Sequence, residues 1–410
     1  MERAVGLETD GVGGEKLAID GGRPVRERLL PYGRQTIEAE DEAAVLAALR
    51  SDFLTTGPRV GEFERAFAAR HDVPHAVAVA TGTAALHAAM HALKIGPGDE
   101  VIVPTITFAA SANAALYVGA TPVFADVDEA RLLIDVADVE RKITPRTKAI
   151  VPVDYAGHPA DYDALAALAA KHGVKLIADA CHATGARYRG RSVGTLADAT
   201  CFSFHPVKTI TTGEGGLITT RDPAIASAMR RFRHHGIDLD AHARERRGSW
   251  VYEMTELGYN YRLTDLQCAL GLAQLGRLDR WLARRNELAA LYDAAFAKVP
   301  EVQPLTTAPD VEHGRHLYVI QLRLERLRVD RAAVFAALRA ENIGVNVHYL
   351  PVYQHRYYRE RFGDRTGLCP VAERCYDRMI TLPLYPSMTD DDARDVVAAV
   401  EKVVRVHRVA

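Results

Sequence analysis

From about residue 76 to residue 220 the chain alternates short apolar runs with intervals of helix length: "HAVAVA", "EVIVPTITF", "TPVFADV", "KAIVPVDYAG", "VKLIADA", "ATCFSF" and "GGLITT". Runs that are apolar at nearly every position are strands buried on both faces. Separated by helix-sized gaps, they predict an α/β fold: a large domain with a mostly parallel central sheet flanked by helices. A ligand of such a sheet lies at the carboxyl ends of its strands. Farther along, residues 264–298 are strongly helical and suited to join two lobes. "HLYVIQLRLERL" and "MITLPLYP" then read as strands and "DRAAVFAALRAEN" as a helix. The last helix opens at "SMTDDDARDVV", where Ser387 or Thr389 can cap and the acids suit the positive helix end. The expected division is a polar N-terminal arm over 1–22, a large domain over 23–275, and a smaller α+β C-terminal domain over 276–410. Between 230 and 250, "RRFRHHGIDLDAHARERRGSW" mixes both signs of charge without apolar periodicity and reads as a mobile surface loop.

Composition narrows the partners. The 410 residues, 48% hydrophobic, suffice for more than one core. The 51 basic and 53 acidic side chains give a net charge of −2, which offers no field for nucleic acid or an anionic membrane and leaves a small molecule as the expected partner. Five cysteines without paired spacing describe neither a disulfide framework nor a zinc site, and suggest a reducing cytoplasm. No apolar stretch resembles a signal peptide or reaches the length of a membrane helix.

Three features carry candidate chemistry. "HAVAVA" runs into "TGTAALHAAMHAL", placing Thr81, Gly82 and Thr83 where a strand turns into a helix. Free N–H groups there make a phosphate cradle, although an ordinary threonine cap has the same text. "VKLIADACHATGARY" sets Asp179 at the end of a buried strand with His182 three residues on. A buried carboxylate needs a partner, and a protonated pyridine nitrogen is one; a structural Asp holding a loop is the alternative. In "CFSFHPVKTITTGEGGLITT", Ser203 and His205 share one strand face and Phe202 and Phe204 the other, and Lys208 follows. A desolvated lysine at a cleft mouth is a Schiff-base nucleophile, while in isolation it is a solvated loop residue. The glycines of "TTGEGG" permit close backbone approach to a flat cofactor. In this order on one sheet, cradle, carboxylate and lysine are together the fittings for pyridoxal 5′-phosphate. His87 and His91 have metal-ligand spacing but no third ligand, so no metal is expected.

"FLTTGPRVGEFE", "ATGTAAL", "PTITFAASANA", "DACHATGA", "SFHPVKTITTGEGG" and "LGYNYRLTDLQCALG" resemble the DegT-type sugar aminotransferases, fold-type I pyridoxal-phosphate enzymes, and the likeness runs from about residue 31 to the end. Within that family, "LPYGRQTIEAED", "SDFLTTGP", "NVHYLPVYQHRYY" and "LPLYPSM" are similar to the transaminases of pseudaminic acid biosynthesis. The resemblance implies Lys208 as the Schiff-base lysine, Asp179 facing the pyridine nitrogen, Phe108 stacked on the ring and His182 beside it. Gly82, Thr83 and Ser203 would bind the phosphate, and Asn260 and Arg262 would complete that site from the second subunit of a homodimer. Thr55, Thr56, His348 and Tyr349 would contact substrate. The implied reaction moves an amino group from glutamate to C4 of a UDP-linked 4-keto-6-deoxy amino sugar. Other nucleotide-linked keto sugars, a keto-cyclitol, or a non-catalytic cofactor-binding regulator are the alternatives. No role follows for His205.

Overall fold

The computed structural model describes residues 16–238, 248 and 250–409. Of the expected loop at 230–250, residues 239–247 and 249 lie outside the described residues, and 230–232 belong to the Pro223–Phe232 helix. All seven apolar runs form strands of one sheet: β1 (His75–Val79), β2 (Glu100–Pro104), β3 (Thr121–Ala125), β4 (Thr147–Ile150), β5 (Lys175–Asp179), β6 (Ala199–Ser203) and β7 (Gly216–Thr220). Their order is β1-β7-β6-β5-β4-β2-β3, with β7 alone running against the rest, antiparallel to both β1 and β6. Every residue of β2, β6 and β7 is buried, as runs without polar alternation require. Because β7 is reversed, its start at Gly216 meets the ends of β1 and β6. Ala80, Asp179, Ser203 and Gly216 therefore all reach one edge of the sheet.

Helices cover the sheet and carry local stop and start signals. Thr81 caps the Gly82–Ala92 helix by accepting the Ala84 N–H at 3.0 Å. Asp161 and Asp222 cap Tyr162–His172 and Pro223–Phe232 in the same way, and Thr264 with Gln267 closes a capping box on Asp265–Leu275. Thr389, rather than Ser387, caps Asp390–Val406.

The C-terminal lobe is a three-stranded antiparallel sheet of β8 (Val302–Pro304), β9 (Tyr318–Leu322) and β10 (Met379–Leu382). It is backed by the helices Arg331–Ala340 and Asp390–Val406. The Leu278–Phe296 helix joins the lobes: Leu278 and Trp281 pack with Phe202 and Phe204, while Leu288, Tyr292 and Phe296 pack with Ile320 and Leu382.

At its amino end the chain packs differently from the expected 1–22 and 23–275 division. Leu17 and Leu30 lie in the C-terminal core beside Tyr292, Leu338 and Val403. The buried Glu341 accepts the N–H groups of Ala18 and Val25, each at 2.9 Å, and pairs with the buried Lys402. Residues 17–30 join the far lobe because Glu341 and Lys402 give their backbone partners there. Asp126, at the end of β3, ties the lobes from the other side by accepting the N–H groups of Val371 and Ala372 at the start of the Pro370–Tyr376 helix. Among the described residues, no helix is long and apolar enough to cross a membrane.

Candidate active site

Lys208 leaves the end of β6 through a turn fixed by the backbone. Its N–H donates to the His205 carbonyl at 2.8 Å, and the Val207 N–H reaches His205 Nδ1 at 3.5 Å. This gives His205, itself exposed, a part in shaping the turn that aims the lysine. Phe202 and Phe204 bury fully against Phe67, as strand alternation demands. The Lys208 amine faces His316, whose Nε2 lies 3.5 Å from Nζ. The rings of His316 and His182 are 4.4 Å apart, and His182 Nε2 meets the Tyr349 hydroxyl at 3.2 Å. Burial holds the Lys208 amine below the ordinary lysine range, against the opposing pull of Cys181 and Asp179. Burial, then the charge of Lys208, keeps both His182 and His316 well below the usual imidazole range. The site thus gathers neutral bases around one easily deprotonated amine.

Asp179 ends β5 with 5% of its surface exposed. Its Oδ2 accepts the Ser111 hydroxyl at 2.6 Å and its Oδ1 the Cys181 N–H at 3.2 Å. Behind it stands Asp154, fully buried, which accepts the Ala160 N–H and the Tyr162 hydroxyl at 2.9 Å on one oxygen. Its other oxygen has no partner among the described residues. Burial, supplemented by the charge of Asp179, pushes the Asp154 carboxyl up to about 7.

The cradle has the shape an anion requires. Thr81 takes the Ala84 N–H, so the first-turn N–H groups of Gly82 and Thr83 have no intrahelical acceptor. A Cβ on Gly82 would lie 2.9 Å from Ser203 Cβ and 3.2 Å from its Oγ, which brings that hydroxyl against the helix N-terminus. A Cβ on Gly216 would lie 2.3 Å from the Thr81 carbonyl oxygen. The close approach expected between the glycine loop and a cofactor is, at Gly216, an approach to the chain's own cradle. Phe108 is 60% exposed with its ring 5.9 Å from that of Tyr349, a large apolar face left open beside the residue that meets His182. The ring nitrogens Nδ1 of His182 and His316 are buried without a partner among the described residues. Phosphate donors, an aromatic face, a buried carboxylate and an amine of lowered basicity together fit pyridoxal phosphate.

The residues expected at the site fall into two groups. Gly82, Thr83, Phe108, Asp179, His182, Ser203, Lys208 and Tyr349 converge at the sheet edge. Thr55, Thr56 and Arg262 line a separate cavity of about 790 Å³ with Arg230, Arg231 and Arg233. Asn260 is exposed beside it and bridges to His234, which also meets Arg262 at 2.9 Å. His348 turns inward: Nδ1 meets Thr381 Oγ1 at 2.8 Å, Nε2 faces the Asn346 amide at 3.4 Å, and Tyr155 donates to its carbonyl. Burial lowers that imidazole to about 3. Both ring nitrogens of His348 thus have protein neighbours, and its ring stands 4.8 Å from that of Tyr349. His87 and His91 point to different partners, Tyr261 and Glu256.

Ser111 and His316 carry parts of the site that the strand and motif pattern did not single out. Ser111 stood in "PTITFAASANA" as one polar residue of an Ala-rich helix start, and His316 as the polar flank of a strand; only tertiary placement brings them to Asp179 and Lys208.

Comparison with known proteins places the chain in one family. Residues 35–401 match the DegT/DnrJ/EryC1/StrS aminotransferase family. The chain is 44% identical over 382 residues, 93% of its length and 98% of the relative's, to the spore coat polysaccharide biosynthesis protein SpsC of Bacillus subtilis. Among solved structures it is similar to PseC of Helicobacter pylori, an aminotransferase involved in pseudoaminic acid biosynthesis, with TM-score 0.87, 32% identity, and coverage of 92% of this chain and 100% of that one. Spr1654 of Streptococcus pneumoniae, in its PMP form, superposes with TM-score 0.87 at 33% identity, covering 92% of this chain and 99% of that one. With fold and sequence in agreement, the chain belongs to the DegT/DnrJ/EryC1/StrS aminotransferase family and is a pyridoxal-phosphate-dependent sugar aminotransferase.

Proposed function

We propose that this aminotransferase moves the amino group of glutamate to C4 of a UDP-linked 4-keto-6-deoxy amino sugar, giving a 4-amino sugar nucleotide of the pseudaminic acid type. The observation that carries the reading is Lys208: a half-buried amine of lowered basicity, 3.5 Å from the neutral imidazole of His316, on the sheet edge that also presents Asp179 and Ser203. The choice of sugar rests on the likeness to PseC over the full length of that chain.

Bound pyridoxal phosphate supplies an electron sink for the carbanion that forms when a proton leaves the amino-bearing carbon. The rest falls to the protein. The Gly82 and Thr83 N–H groups and the Ser203 hydroxyl hold the phosphate. Asp179, oriented by Ser111, would keep the pyridine nitrogen protonated, and Phe108 would offer its open face to the ring. Lys208 in its neutral form takes the proton from glutamate Cα and later delivers one to the sugar C4. His182, held by the Tyr349 hydroxyl at 3.2 Å, would lie beside the cofactor.

Thr55, Thr56, Asn260 and Arg262 belong, in this reading, to the site of a second copy in a homodimer. Their separation from Lys208 in one chain supports it, as do the exposed apolar side chains around Asn260: Met254 at 64% and Leu257 at 74%. The enzyme works in the cytoplasm, in keeping with five cysteines that are all free thiols.

Purified protein loaded with pyridoxal phosphate is incubated with glutamate and a panel of UDP-, dTDP- and GDP-linked 4-keto sugars and keto-cyclitols, and 2-oxoglutarate is measured. Turnover is expected with the UDP-linked 4-keto-6-deoxy amino sugar. Turnover with a keto-cyclitol alone would contradict the assignment.

A further inference from the structure

Arg285 is 1% exposed and stands on the helix that joins the two lobes. Its Nη1 donates to the carbonyls of Leu384 at 2.8 Å, Arg315 at 3.1 Å and His316 at 3.4 Å. Its Nε has no acceptor, and no carboxylate pairs with it among the described residues. A buried guanidinium without a counter-ion is costly, and an apolar side chain of similar volume would fill the space at lower cost. What the cation adds is a strong charged donor to carbonyls that converge from two segments. One is the kink at Arg315, whose φ of 43° lies in the region a non-glycine residue rarely adopts. The other follows β10 in the C-terminal lobe. His316, the residue after the kink, is the one whose Nε2 faces Lys208.

We propose that Arg285 is a positioning residue for the reactive amine: by fixing the carbonyls of Arg315 and His316 to Leu384, it sets the His316 imidazole against Lys208 Nζ. Arg285 acts through His316 and touches no substrate. The inference rests on Lys208 being the reactive amine, so the test reads the Lys208 side chain in protein without cofactor, apart from turnover.

Cofactor-free protein is acetylated competitively with acetic anhydride across a pH series, and the midpoint for Lys208 is read by peptide mass spectrometry. H316N is expected to shift that midpoint. R285M is expected to reproduce the shift in direction and size, and the double variant to add nothing. In the loaded enzyme, kcat of R285M should fall about tenfold with KM for glutamate changed less than twofold, the pattern of a misplaced catalytic group. Circular dichroism checks the fold. Should R285M not fold, R285Q, too short to span Leu384 and residues 315–316 together, is expected to shift in the H316N direction. A wild-type midpoint in the arginine variant, an additive double variant, or an unmoved midpoint in H316N each overturns the proposal. Failure of Lys208 as the reactive amine is seen separately, as borohydride fixation of the cofactor elsewhere.

Discussion

Ser111 donates its hydroxyl to Asp179 Oδ2 at 2.6 Å, and Thr107 in turn meets Ser111 Oγ at 2.7 Å. The pair flanks Phe108, so the turn after β2 and the first residues of the Ala110–Tyr117 helix together set the open aromatic face and orient the buried carboxylate. A hydrogen bond to a charged acceptor is worth about 1.5–3 kcal/mol. Ser111→Ala is therefore expected to fold normally and lose about tenfold or more in kcat/KM. Steady-state kinetics alongside a thermal melt checks this, and an unchanged kcat/KM would remove Ser111 from the site.

Asp265 is buried and accepts the N–H groups of Gly57 at 2.7 Å and Arg59 at 2.8 Å. It thereby fixes the turn carrying Thr55 and Thr56, the latter at a φ of 56°. Asp265→Ala frees that turn. KM for the sugar nucleotide is expected to rise about tenfold while KM for glutamate stays near wild type, since two backbone donors lose a charged acceptor. Equal change in both constants would show that the turn does not serve the sugar.

At Gly82 an added methyl group would press on Ser203 and Cys181, whose nearest atoms lie 2.9 and 3.1 Å from the Cβ position. Overpacking of this kind costs about 1–3 kcal/mol. Gly82→Ala is expected to bind pyridoxal phosphate about tenfold more weakly, read by absorbance titration of the cofactor-free protein, with secondary structure retained. Undiminished affinity would place the phosphate elsewhere.

The pattern of apolar runs predicted all seven strands of the large sheet, because burial on both faces leaves no polar alternation and writes itself into every position of β2, β6 and β7. Strand direction is not written that way, and the reversal of β7 emerges only from its pairing. Lys208, Asp179 and Gly82 were legible because each lies at a strand end or within five residues of one. Leu17 and Leu30 were not, since their burial depends on Glu341, more than 300 residues away in sequence. Ser111, His316 and Arg285 likewise take their meaning from partners on other elements.

His71 is buried, stacked on Phe67 at 4.1 Å, and bonded through Nδ1 to the Phe67 carbonyl. Burial lowers its pKa to about 4, and burial likewise lowers that of His87 to about 4, from 6.5. A folded-state pKa below the unfolded one means that the neutral rings stabilise the fold fully above pH 6.5 and progressively less as pH falls toward 4, where the unfolded chain binds the proton first. The urea midpoint should therefore drop across that window. His71→Asn, which keeps a neutral donor near the Phe67 carbonyl, should show a shallower drop; an equally steep one would assign the acid sensitivity to other groups.

The most direct test of Lys208 as the reactive amine is reduction of the pyridoxal-phosphate-loaded enzyme with borohydride, followed by peptide mapping. The expected result is loss of the yellow absorbance with a pyridoxyl group fixed on Lys208, and no fixation or turnover in Lys208→Ala. Fixation on another lysine, or full turnover by Lys208→Ala, would contradict it.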